Sequence, residues 1–303
     1  MANLILAFCF AMANVNARAG DTMDATGPTD GTNPPSESGE HGRRTRKFFA
    51  FDNGLTQVQR LDEKAALLKK LGYDGIGWRV GVKPAEMIEA LDKYSLRMIS
   101  TYTQGTVDAN NPHYDKRLVD ELAVMKKHRT IIWLCLIPGK NPSDEAAVKV
   151  VNEVADLAAE AGLDVVLYPH VGFYVATVQD ALRVTRKVDR PNVGMSFNLC
   201  HFLKLDNEKN LEAVLKESAP YLRLVSINGA DSGDTKRMGW DRLIRPLGEG
   251  SFDVSKVMKL LDEIGYTGPV GLQCYSVKGD NRENLKKSIT AWREIAGRAA
   301  MRK

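Results

Sequence analysis

Two histidines follow apolar segments of the chain and could carry acid–base chemistry. His170 and His201 are two of five histidines, and each stands at the end of a strand-like run. Imidazole is the usual proton acceptor or donor near neutral pH, so the pair predicts proton transfer. The alternative is a structural role in which each ring donates to a neighbouring carbonyl.

Other polar residues also end apolar runs, which packing alone does not explain. A buried amide without partners costs about 1–3 kcal/mol, so several together imply a ligand or a shared hydrogen-bond network. We expect five of them to bind substrate. These five are Trp78, Tyr168, Asn198, Asn228 and Gln273; the further polar strand ends are Asp52, Asn53, Arg79, Tyr102, Gln104, Asp231 and Tyr275.

A long loop from Asp231 to Phe252 adds two candidates. Arg245 could grip a carboxylate or phosphate with two parallel hydrogen bonds. Gly248 and Gly250 flank Glu249 and permit close approach of a ligand, so Glu249 joins the catalytic candidates. The alternative is a solvated loop whose arginines pair with surface acids.

The elements that must position these residues alternate along the chain. Strand-like runs cover 48–53, 75–80, 96–104, 130–138, 163–170, 192–201, 222–231 and 269–275, and amphipathic segments cover 59–71, 85–94, 116–127, 143–161, 178–188, 211–218, 254–264 and 281–296. Eight such pairs predict an α/β fold, a single-domain (β/α)8 TIM barrel, whose active face lies at the strand C-termini. A doubly wound open sheet shares the alternation. The repeated helix–strand joints at Gly72 and Gly265, each suited to a left-handed helix end, favour the closed ring.

The N-terminal 47 residues have a different composition. Residues 1–19 hold a short apolar run followed by Ala17-Arg18-Ala19, which predicts a signal peptide and an exported or periplasmic protein. A misassigned start of a cytoplasmic enzyme is the alternative. Residues 20–47, rich in Gly, Pro and Ser, predict a disordered tether, leaving residues 48–303 as the barrel domain. Beyond the signal peptide we expect no membrane association.

Charge and cysteine content exclude other classes. The first 42 residues hold five acids and one basic residue, so the barrel is moderately basic and could suit an anionic ligand. The Arg43–Lys47 run lacks interleaved aromatic residues, so we expect a solvated edge and no nucleic-acid binding. Three cysteines remain after the signal, an odd number that argues against a disulfide framework.

Motifs in the last third of the chain carry a family resemblance. Asn198-Leu199-Cys200-His201, Ser226 to Asp231, Arg245 to Asp253 and Gly268 to Gln273 resemble the xylose-isomerase-like barrels, which include sugar-phosphate isomerases and epimerases. The resemblance spans about residues 48 to 297. It implies one divalent metal, bound by Glu, Asp, His and Glu on the last four strands. At those positions this chain has Tyr168, Asn198, Ser226 and Gln273, and it retains only His201 of the associated Asp-x-x-His pattern.

This departure removes the negative charge that a hard cation requires. We therefore predict no metal ligands and leave the cofactor unknown, with a rearranged site using His170 and His201 as the alternative. The resemblance implies a sugar isomerase or epimerase that moves a proton next to a carbonyl of a small carbohydrate. A keto-sugar lyase or hydrolase and a non-catalytic sugar-binding barrel remain alternatives. The oligomeric state stays open, with a homo-oligomer as one option.

Overall fold

A computed structural model describes residues 46–301, in which eight parallel strands close into a ring. The strands of residues 46–301 are β1 (Phe48–Phe51), β2 (Gly75–Arg79), β3 (Arg97–Val107), β4 (His113–Tyr114), β5 (Ile131–Pro138), β6 (Val165–Leu167), β7 (Val193–Asn198), β8 (Leu222–Ile227) and β9 (Val270–Leu272). Strand β1 pairs in parallel with both β2 and β9, which closes the barrel. The predicted (β/α)8 barrel is confirmed, and β4 is an addition that pairs antiparallel with the extended end of β3.

Helices follow the strands and form the outer layer. In the described chain they are α1 (Leu61–Leu71), α2 (Pro84–Asp92), α3 (Arg117–Lys126), α4 (Asp144–Glu160), α5 (Val178–Val188), α6 (Leu199–Leu205), α7 (Leu211–Ser218), α8 (Trp240–Leu243), α9 (Ser255–Glu263) and α10 (Asn281–Met301). Gly72 and Gly265 take the expected left-handed conformation, with φ of 91° and 68°. Helices α6 and α8 were not predicted. Helix α6 begins where the sequence indicated continued strand, because the Asn198 side chain accepts from the His201 backbone N–H and caps a helix there.

The barrel interior is filled by aromatic rings. Phe51 stacks on Trp133 with ring centroids 4.7 Å apart, and Trp133 stacks on Tyr168 at 3.7 Å. Gly77 and Gly271 make room for this stack, because a Cβ at either position would collide with the Phe51 ring. The polar ends of the strands therefore lie above a packed floor.

The predictions for the N-terminus fall mostly outside the described residues. The signal peptide over residues 1–19 and nearly all of the tether over residues 20–47 cannot be compared with the structure. The last two tether residues are ordered: Arg46 pairs with Asp262 at 2.6 Å, and Lys47 with Asp74 at 3.0 Å. Within residues 46–301, the helices are too short or too polar to span a bilayer.

Candidate functional site

Five side chains from four neighbouring strand ends meet at the C-terminal end of the barrel. We call this set, Tyr168, Asn198, His201, Ser226 and Gln273, the Tyr168 cluster. Every member is at most 5% exposed. The Tyr168 hydroxyl lies 3.1 Å from His201 Nε2 and 3.2 Å from Asn198 Nδ2, and it also bonds to the Gln273 side chain. The structure thus brings together residues that the sequence could only place on separate strands.

The Asn198 amide is held with its nitrogen toward Tyr168. Its oxygen accepts from the His201 backbone N–H at 3.4 Å and from the Cys200 thiol at 3.0 Å. Its nitrogen donates to the Tyr168 hydroxyl and to Ser226 Oγ, both at 3.2 Å. The same side chain therefore caps α6 and supplies an N–H donor to the centre of the cluster.

Gln273 is oriented in the same way by different partners. Its oxygen accepts from Asn53 Nδ2 at 2.6 Å and from the backbone N–H groups of Cys274 and Tyr275, each at 3.1 Å. Three donors fix that oxygen away from the centre, so the amide nitrogen is the end that faces the Tyr168 hydroxyl.

The His170 ring lies against the His201 ring of the Tyr168 cluster, with an angle of 44° between the two ring planes. The ring centroids of His170 and His201 are 4.0 Å apart, and His170 stacks on Phe173 at 4.1 Å. Trp240, from the loop after β8, contacts the edge of His201 at 5.3 Å. Aromatic side chains therefore flank the histidine pair. Phe173 and Trp240 were not among the site residues predicted from the sequence.

Backbone groups of Val171 define the protonation of both rings. His170 Nδ1 lies 2.8 Å from the Val171 carbonyl and donates to it, which leaves Nε2 as the basic nitrogen. The Val171 N–H donates to His201 Nδ1 at 3.4 Å, so His201 Nε2 carries the proton that faces Tyr168. Burial lowers the pKa of His170 to about 4, and burial, followed by the charge of His170, lowers the pKa of His201 well below its usual value. Both rings are neutral at pH 7.

Trp78 lies apart from this site, contrary to its selection as a substrate-binding residue. Its indole N–H donates to the Val82 carbonyl at 2.6 Å, and its ring packs in the layer between barrel and helices. Side chains alternate faces along a strand, and Trp78 is on the outward face. Its neighbour Arg79 instead pairs with Asp52, with 2.8 Å between Arg79 Nε and Asp52 Oδ2.

The three candidates after β8 contact the loop that contains them. Asn228 donates to the carbonyls of Gly229 and Leu243, both at 2.7 Å. Arg245 pairs with Asp231 at 3.2 Å, and Glu249 pairs with Lys287 of α10 at 3.2 Å. Among the described contacts, these three residues hold the loop and do not reach the imidazoles. Arg242 of the same loop also pairs with Asp231, at 2.8 Å.

The residues at the expected metal positions do not fit a divalent cation. Mg²⁺, Mn²⁺ and Zn²⁺ require anionic oxygen, thiolate or imidazole ligands, whereas here two amides present N–H groups to the centre. Within residues 46–301, the His, Cys, Asp and Glu side chains form no group of three that could hold a metal ion. The fold and this cluster define a (β/α)8 barrel with hydrogen-bonded polar side chains at its strand C-termini.

The chain belongs to the xylose isomerase-like TIM barrel family, whose model matches residues 65–295. It is 27% identical to a ketose 3-epimerase of Arthrobacter globiformis over 148 residues, which are 48% of this chain and 46% of the relative. It is 26% identical over 126 residues to an inosose dehydratase of Geobacillus thermodenitrificans, covering 39% of this chain and 42% of the relative. The matched part therefore spans less than half the length of either relative.

Solved structures share the fold at lower identity. An IOLI protein described with a bound zinc atom superposes with a TM-score of 0.67 at 17% identity. The superposition covers 83% of this chain and 98% of that protein. At this identity the similarity shows the barrel architecture alone.

Proposed function

We propose that this chain is an isomerase- or epimerase-like enzyme that moves a proton next to the carbonyl of a small carbohydrate. The observation that carries the proposal is the neutral His170 ring at the C-terminal end of the barrel, with Nε2 left basic by the bond from Nδ1 to Val171. A neutral imidazole can accept a proton from a carbon next to a carbonyl. No step in this proposal uses a metal.

His170 and His201 have different parts in the proposed reaction. His170 is half-buried and is the base, whereas His201 is 5% exposed and bonded to Tyr168. His201 is therefore a positioning residue that supports one face of the His170 ring, while Phe173 supports another. The aromatic surfaces of Phe173 and Trp240 suit the apolar C–H face of a sugar ring.

An enolate-like intermediate requires positive charge at the developing oxyanion. Arg79 stands at the end of β2, with Nε fixed by Asp52 and 55% of its side chain exposed. Its two terminal nitrogens can therefore supply parallel N–H donors to an oxyanion. We assign Arg79 this role in place of Arg245, because Arg79 bonds to Asp52 through Nε, whereas the two terminal nitrogens of Arg245 pair with Asp231 and Glu249.

The curated relatives support this reaction class and also a second one. A ketose 3-epimerase and an inosose dehydratase act on polyhydroxylated carbonyl compounds, as their names state. Both epimerisation and dehydration can begin with removal of a proton next to the carbonyl, and only the fate of the carbanion differs. A keto-sugar lyase is therefore the second candidate activity for the same base.

Proton exchange with solvent tests the proposal without knowledge of the product. The protein is incubated in D2O with D-fructose, D-tagatose, L-ribulose and an inosose, and deuterium at the carbon next to the carbonyl is measured by NMR. We expect catalysed exchange into at least one compound, lost by more than 100-fold in His170→Gln. The control His113→Gln changes an exposed histidine on β4 and should retain full exchange.

A binding-only barrel gives a different result in the same samples. The polar side chains of the Tyr168 cluster hydrogen-bond to one another, which favours this alternative because fewer of their groups are left to react with a substrate. Calorimetric binding of a sugar without any deuterium uptake would replace the enzymatic proposal by the binding one. Exchange that persists in His170→Gln would exclude His170 as the base.

A further inference from the structure

The centre of the Tyr168 cluster is an oxygen surrounded by nitrogen atoms. Asn198 Nδ2 and His201 Nε2 lie 3.2 and 3.1 Å from the Tyr168 hydroxyl, and the Gln273 amide bonds to it from the end of β9. Each of these nitrogens presents an N–H group. We infer that the centre of the Tyr168 cluster excludes divalent cations and that the Tyr168 hydroxyl occupies this centre, between the positions at which the family resemblance implies metal ligands.

Rotation of the amides cannot restore oxygen ligands. Turning the Asn198 oxygen inward would remove the cap of α6, because that oxygen accepts from the His201 N–H. Turning the Gln273 oxygen inward would place the amide NH2 group against three donors that now bond to this oxygen, those of Asn53, Cys274 and Tyr275. Buried donors without partners are costly, so both amides are locked as donors.

The phenol itself has no room to move aside. Its ring stacks on Trp133 with an interplanar angle of 18°, and the Trp133 indole N–H is fixed to Ser196 Oγ at 2.9 Å. Phe51 supports the other end of this stack. Tyr168 is 4% exposed, and burial raises the pKa of its hydroxyl well above the usual value, so it remains a neutral phenol.

The two aspartates among the predicted strand-end residues, Asp52 and Asp231, are paired with arginine. Asp52 pairs with Arg79, and Asp231 accepts from Arg242 at 2.8 Å and from Arg245 at 3.2 Å. A cation at the centre would therefore be surrounded by N–H donors on three sides. The carboxylates that follow β1 and β8 could not neutralise its charge, because they already pair with arginine. This inference does not depend on the proposed reaction, because it concerns only which ligand the centre accepts.

Equilibrium dialysis against Mn²⁺ and against Zn²⁺ tests the inference on the full chain. We expect less than about 0.1 ion per chain after dialysis at micromolar free metal, and no change in melting temperature between EDTA and added Mn²⁺. A stoichiometric ion that is lost in the variant His201→Asn would overturn the inference. A bound ion that is retained in that variant lies elsewhere and supports it.

Restoring carboxylates provides a second, independent measurement. The triple variant Tyr168→Glu, Asn198→Asp, Gln273→Glu replaces the neutral groups by three anionic ligands beside His201, while Asp at position 198 can still cap α6. We expect this variant to bind about one Mn²⁺ and to melt at higher temperature when Mn²⁺ is added. A folded triple variant that binds no metal would contradict the inference, because neutral donors would then not be the cause of exclusion. If the triple variant does not fold, the wild-type dialysis decides alone.

Discussion

His170 and His201 are joined through the backbone of Val171, whose carbonyl accepts from one ring and whose N–H donates to the other. The ring centroids are 4.0 Å apart. Two imidazolium ions at this separation would repel each other in a buried environment. The arrangement therefore keeps both rings neutral and gives a single backbone residue control over both tautomers.

The low pKa of His170 predicts a specific dependence of stability on pH. In the unfolded chain its pKa is near 6.5, so between about pH 6.5 and pH 4 the unfolded state binds more protons than the folded state. The stabilisation is complete above pH 6.5 and is lost as pH falls toward 4. Urea unfolding of His170→Gln at pH 7.5, 5.5 and 4.5 should show a smaller decrease in unfolding free energy than wild type. Identical pH profiles for His170→Gln, wild type and the exposed control His113→Gln would refute this.

Removing the central hydroxyl should destabilise the fold. The variant Tyr168→Phe keeps the stacked ring but leaves the Asn198 and Gln273 amides and His201 without their shared partner. We expect a loss of about 1–3 kcal/mol in the free energy of unfolding, measured by urea denaturation. The control Tyr94→Phe, at a half-buried tyrosine in the turn after α2, should change it by less than about 0.5 kcal/mol. Equal effects of the two variants would argue against a central role for the hydroxyl.

The Asp52–Arg79 pair should be more important at neutral than at acid pH. Burial raises the pKa of Asp52, and Arg79 and Lys64 oppose that shift. Above this raised pKa, the buried carboxylate is ionised and destabilises the folded state. The positive charge of Arg79 reduces that destabilisation. Arg79→Met should therefore cost about 1–3 kcal/mol at pH 7.5, and the loss should become smaller as the pH is lowered and Asp52 takes up a proton. Arg60→Met, which breaks an exposed pair with Asp62, is the control and should cost little at either pH. A loss independent of pH would exclude Asp52 as the cause.

The glycines beneath the aromatic stack give a packing prediction. Gly271→Ala should cost about 1–3 kcal/mol, because its Cβ would collide with the rings of Phe49 and Phe51. Phe51→Leu frees part of that space, so the double variant should lose less than the sum of the two single losses. The free energy of unfolding is measured by thermal and urea denaturation for the wild type, the two single variants and the double variant. Additive losses would show that contact with the Phe51 ring is not the cause of the destabilisation by Gly271→Ala.

The sequence was sufficient for the barrel because eight buried runs and their intervening amphipathic segments have strong periodic signals. It also identified the strand ends that supply Tyr168, Asn198, Ser226 and Gln273. It could not show that these side chains hydrogen-bond to one another, since the partners are remote in the chain. It could not show that Trp78 faces outward, because the face that each residue takes depends on how β2 pairs with β1. It also missed α6, whose start depends on a cap made by an asparagine that ends an apolar strand.

The stack of Phe51, Trp133 and Tyr168 places a tryptophan, the usual fluorescent residue of proteins, next to the Tyr168 cluster. Trp133 lies in van der Waals contact with the phenol at the centre of the cluster, and its indole N–H is bonded within the barrel. Its fluorescence and near-ultraviolet circular dichroism therefore depend on the state of that phenol. If a carbohydrate binds as proposed, we expect its contact with Tyr168 to change the Trp133 signal, which can be recorded without a label or a coupled assay.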